Sequence, residues 1–158
     1  MMRKLNLSSG KMILLITLLL NFAFIFVHAS FPPSVSGAEI DAVGGAVSEI
    51  LPESTSFGAF LQRNISNIAH FCEYGALGVQ IMIAVMLWAE KKVRVAAISP
   101  LFALAVAFLD ESVQILSGRH SSILDIWMDI IGFTVCMLLT LGIFCVTRII
   151  KNKSKQRR

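Results

Sequence analysis

His70, Glu73 and Tyr74 recur at the i, i+3, i+4 spacing that stacks side chains on one helical face. Asp110 and Gln114 are four apart, as are Asp125 and Asp129, and Glu111 adjoins Asp110. Arg119 and His120 lie between those two pairs. Carboxylates beside imidazoles are the groups of general acid–base work and of oxygen-rich cation sites. A guanidinium among them suits a phosphate or carboxylate.

Three kinds of chemistry fit these residues. The first is binding without catalysis, of a ligand such as a lipid headgroup. The second is hydrolysis. A divalent cation held by His70, Glu73, Asp110 and Asp129, with Asp125 and His120 as further donors, would activate water against a phosphoester or acyl bond. His70 or Glu73 would then be the general base. No HExxH signature or phosphatase motif accompanies these residues, and Ser121 and Ser122 lack the setting of a nucleophile. The third is structural. His70 and Glu73 would fix helix packing, Arg119 would pair with Asp110 or Glu111, and Asp125 would cap a helix. Adjacent residues on a helix point about 100° apart, so one of Asp110 and Glu111 is expected to face a neighbouring helix or the headgroup layer.

The elements that must position these groups are membrane spans. Of 158 residues 56% are hydrophobic and 15% charged, with mean hydropathy +0.75. Soluble domains carry about 25% charged residues. Apolar runs cover about 12–29, 68–89, 95–116 and 123–147, each long enough for a hydrocarbon core of ~30 Å. The expected fold is all-α: a four-transmembrane-helix bundle with a longer extracytoplasmic loop after the first span. Arg3, Lys4 and Lys11 precede the first span, Lys91, Lys92 and Arg94 lie between the second and third, and six basic residues follow the fourth. Arg63 and Arg119 occupy the other loops. By the positive-inside rule both termini are cytoplasmic, and the polar residues cluster at the outer face. The net charge of +4 therefore reads as a topology signal, and no nucleic-acid partner is expected.

Four segments follow: a flank and first span over 1–29, a loop over 30–67, a three-span core over 68–147 and a basic tail over 148–158. The "VHA" before Ser30 also fits a signal-peptide cleavage site, although the apolar run is long for a cleaved signal and favours a retained anchor. In the loop, the paired prolines of "FPPSVSG" are expected not to continue a helix. "AEIDAVGGAVSEIL" is expected to form an amphipathic helix weakened by Gly44 and Gly45, and a second surface helix would lead into the second span. Cys72, Cys136 and Cys145 show no disulfide or zinc spacing and are expected to be buried small hydrophobes. Gly78 and Gly132 would permit close helix approach.

In order and spacing, "NIAHFCEYGALG", "DESVQILSGR" and "SSILDIWMDIIG" resemble the VanZ-like family of bacterial membrane proteins. The resemblance spans about 65–140 and maps onto His70, Glu73, Tyr74, Asp110, Glu111, Gln114, Gly118, Arg119, Asp125, Asp129 and Gly132. It implies an envelope protein with membrane lipids as partners, associated with low-level resistance to the glycopeptide teicoplanin. A lipid-linked precursor or a lipoglycopeptide is then the expected ligand class; oligomeric state and catalysis are left open. Ser66 and Asn67 stand where many members carry an Arg-Lys pair, and the loop between Gln114 and Gly118 is a residue short. Any headgroup contact made by that basic pair is missing here.

Overall fold

The computed structural model describes residues 9–52 and 54–156. Arg3 and Lys4 of the basic flank, and Arg157 and Arg158 of the tail, lie outside the described residues. Among the described residues all regular structure is helical: α1 (Ser9–Ala29), α2 (Pro33–Ile50), α3 (Ser56–Arg63), α4 (Ile65–Trp88), α5 (Lys92–Leu116) and α6 (Ile123–Gln156). The helices α1, α4, α5 and α6 are each long and apolar enough to cross a membrane. They match the four apolar runs, and α6 continues well past the bundle into the basic tail.

The closest packing is between α4 and α6, and glycine makes it possible. A β-carbon on Gly78 would overlap the carbonyl of Phe133, and one on Gly132 would overlap the carbonyl of Phe71. Small residues let two backbones meet where lipid supplies no hydrophobic drive for helix association. Tyr74, Leu77, Met82, Ala103, Ala107, Phe133 and Met137 fill the space beneath this contact as a buried core. Leu20, Leu101, Phe108 and Leu139 point outward, where acyl chains are as apolar as the core itself.

First-span residues join the bundle through polar contacts as well. Asn21 donates to Gln80 Oε1 at 3.0 Å, and Gln80 Nε2 donates to the Thr17 carbonyl at 3.2 Å. Ser117 Oγ donates to the carbonyl of Ala29 at 3.1 Å.

Helix α1 stops at Ala29, before the paired prolines, and a new helix starts sooner after them than "AEIDAVGGAVSEIL" suggests. Helix α2 begins at Pro33, inside "FPPSVSG", with Pro32 extended before it. Proline in a helix's first turn forfeits no bond, because the first N–H groups are unsatisfied anyway, and its φ is already helical. A β-carbon on Gly44 would crowd the side chain of Gln62 of α3. Gln62 Nε2 donates to the Gly44 carbonyl at 2.6 Å and to Ser48 Oγ at 2.9 Å. Thr55 caps α3, its hydroxyl accepting from Gly58 N at 2.9 Å. Glu53 lies outside the described residues. Cys72 and Cys145 are exposed and Cys136 half-buried, contrary to the expectation of three buried thiols. On a membrane span an apolar residue need not be inside the protein to avoid water.

Candidate functional site

The polar residues meet at the end of the bundle where α1 and α5 finish and α4 and α6 begin. A turn at Gly118 shapes this end. Gly118 has φ of 80°, and its N–H bonds the Ile115 carbonyl at 3.0 Å while Arg119 N bonds that of Gln114 at 2.9 Å. This pair of bonds closes α5 with a Schellman turn, whose left-handed position favours glycine. The chain then doubles back, and Ser122 N donates to Glu111 Oε2 at 3.2 Å. Ser122 Oγ accepts from Leu124 N at 3.1 Å, so Ser122 serves the first turn of α6 and Asp125 lies inside that turn.

The close approach of α4 and α6 brings His70 Nδ1 to 3.0 Å from Asp129 Oδ1. Both side chains are buried, at 6% and 0% exposure. Tyr74 OH donates to Asp110 Oδ2, and Gln114 Nε2 to Glu111 Oε1, each at a long 3.5 Å. Asp110 and Glu111 are both buried, at 2% and 3% exposure. The expectation that one of them turns away is therefore wrong. Helical rotation separates their β-carbons, but glutamate's extra methylene carries its carboxylate round to the loop N–H of Ser122. His70, Asp110, Glu111 and Asp129 each bring one ligand atom to within 4.8 Å of the others.

Four further sequence candidates stand apart from this set. Glu73 turns towards α1, where its Oε1 lies 3.2 Å from His28 Nδ1. Arg119 pairs with neither Asp110 nor Glu111; its Nη1 donates to the His28 carbonyl at 3.4 Å. Asp125 is half-buried and His120 exposed, both outside the converging four. Tyr74 and Gln114 flank the four as hydrogen-bond donors.

Sequence reasoning missed His28. Its Nε2 also lies 3.2 Å from Glu39 Oε2 of α2, so both ring nitrogens face carboxylates. A ring can donate to both at once with a proton on each nitrogen. His28 thereby ties α1 to α2 and α4. Its position one residue from the end of the first apolar run, at the depth of His70, was the signal available.

Beside this cluster lies a cavity of about 570 Å³ between α1, α2, α3 and α4. Phe24, Val27, Val43, Val47 and Leu61 line it with apolar surface, while His28, Glu73, His70 and Arg119 supply polar groups to its wall. The volume falls within the range of about 300–1,000 Å³ typical of small-molecule pockets. Chemically, this end can hold a cation among carboxylates or seat an amphiphile with its tail in the cavity.

A family model described as VanZ/LLP1 matches residues 13–146, which include most of α1, all of α4 and α5 and every residue of the cluster. No curated protein and no solved structure matches the chain.

Proposed function

This chain belongs to the VanZ/LLP1 family of proteins, and on that premise we propose that it binds an amphiphile at the extracytoplasmic face of the bacterial plasma membrane. It is a multi-pass membrane protein, with four helices fit to span and a family match across them. The distribution of lysine and arginine supports cytoplasmic termini and an outward-facing polar end. The observation that carries the reading is the cavity itself. Its lining is largely hydrocarbon, with Phe24, Val27, Val43 and Val47, and His28, Glu73, His70 and Arg119 are among the lining residues.

A ligand matching this lining has an apolar chain and a charged or polar head. Membrane lipids, lipid-linked wall precursors and lipoglycopeptide antibiotics share that chemistry. Binding or altering such a molecule would change susceptibility to teicoplanin, in keeping with the family resemblance. The test is to purify the protein in mild detergent, extract it and identify co-purifying amphiphiles, and in parallel to measure teicoplanin susceptibility of a host expressing it. An amphiphile near one per chain supports the reading. No such molecule, with unchanged susceptibility, overturns it.

A further inference from the structure

Asp129 is wholly buried, and its Oδ2 has no hydrogen-bond partner. Its other oxygen takes His70. A buried carboxylate oxygen without a partner is costly, and natural proteins rarely leave one so. Nor does a lysine or arginine pair with it: among the described residues the ion pairs of the carboxylates involve histidines alone. Asp110 and Glu111 add two more buried carboxylates beside it. Three acids thus face one imidazole at a depth where an uncompensated charge is expensive.

We propose that His70, Asp110, Glu111 and Asp129 form a binding site for a divalent cation of the zinc or manganese class. Their ligand atoms all lie within 4.8 Å of one another. Donors around an ion at ~2.1 Å sit roughly 3.4 Å apart in a tetrahedron. The set therefore closes on an ion by modest side-chain rotation, with the helices in place. A cation would neutralise the excess acid and give Asp129 Oδ2 the partner it lacks. Imidazole favours zinc, and carboxylates favour harder ions such as manganese. The mixed set selects between those classes and against soft thiolate-seeking metals. Ser122 N and Gln114 Nε2, bonded to Glu111, and Tyr74 OH, bonded to Asp110, hold the ligands from outside. Glu73 is not in the set, because it faces His28. The site goes beyond the amphiphile reading and stands without it, although His70 also lines the cavity wall.

The test uses the full chain in detergent, stripped with a chelator, then titrated separately with Zn²⁺ and Mn²⁺ and desalted for elemental analysis. One ion of either kind per chain is expected. Asp129→Asn and Glu111→Gln should each weaken affinity by about tenfold or more, while Glu39→Gln, on an exposed carboxylate, should leave it unchanged. Should Asp129→Asn prevent folding, Glu111→Gln and the wild-type Co²⁺ absorption spectrum, which reports mixed nitrogen and oxygen ligation, carry the same test. Folded wild-type protein that retains neither ion overturns the proposal. So does an ion retained equally by wild type and Glu111→Gln.

Discussion

Gly132 rests against the backbone carbonyl of Phe71, so closely that a β-carbon would overlap it. The residue before Phe71 is His70, and one turn before Gly132 is Asp129. This glycine contact and the buried His70–Asp129 bond are thus successive layers of one helix–helix seam. Gly78 against the Phe133 carbonyl is a further layer of that seam. The spacing of the cluster depends on two backbones being nearer than any side chain would allow.

Gly132→Ala and Gly78→Ala should therefore destabilise the bundle by about 1–3 kcal/mol each, the usual cost of overpacking. The obstructing atoms are backbone, which cannot rotate aside. Gly142→Ala, where a β-carbon meets open space, should be neutral or stabilising by up to ~1 kcal/mol from helix propensity. Thermal unfolding in detergent of the three variants separates the predictions. Equal melting temperatures would show that the seam is looser than described.

The His28 contacts should be unequal in strength. Glu73 is 12% exposed and Glu39 48% exposed. Exposed pairs contribute about 0–1 kcal/mol, whereas stranding a buried acceptor costs about 1–3 kcal/mol. Glu39→Gln should be nearly silent, and His28→Ala should loosen α1 at the cost of the Glu73 contact. A double-mutant cycle of His28→Ala with Glu73→Gln, read by unfolding, should give a coupling several times that of His28 with Glu39. Comparable couplings would refute the difference in burial.

Most of the fold was legible from the sequence because hydropathy and helical period are properties of single segments. Four apolar runs became α1, α4, α5 and α6, and His70, Asp110 and Asp129 were placed at one depth by their distance from span ends. What was not legible depended on the reach of side chains or on inter-helix pairing. Glu111 joined the cluster because its carboxylate lies beyond the β-carbon that a helical projection tracks. Arg119 passed over the nearby acids because the Schellman turn at Gly118 aimed it at α1. His28 and Glu73 pair through the packing of α1 on α4, which no local spacing encodes.

The first span should remain on the protein. Cleavage after Ala29 would remove His28 from Glu73, Asn21 from Gln80, and the Ala29 and His28 carbonyls from Ser117 and Arg119. It would also uncover Tyr74 and Leu77, which pack with Ile25 in one core. The intact mass of protein purified through a C-terminal tag should include α1. A species beginning at Ser30 would overturn this prediction.

Filling the cavity separates an amphiphile site from a structural network. Val43 lines the cavity and is 51% exposed, so Val43→Trp should cost little stability while placing an indole where an apolar chain would lie. Membrane abundance should match wild type, and co-purifying amphiphile should fall by about tenfold, equivalent to roughly 1.4 kcal/mol of binding. Asp110→Asn provides the complementary case, keeping the shape of the polar end and removing a charge. If the cluster holds a working site, Asp110→Asn should lose function at normal abundance. If it seals the bundle alone, the variant should lose abundance instead, because its partners stay buried without it. Quantitative membrane blots beside amphiphile content and teicoplanin susceptibility distinguish the two. Full function at full abundance in both Val43→Trp and Asp110→Asn would remove the basis for an amphiphile site at this end of the bundle.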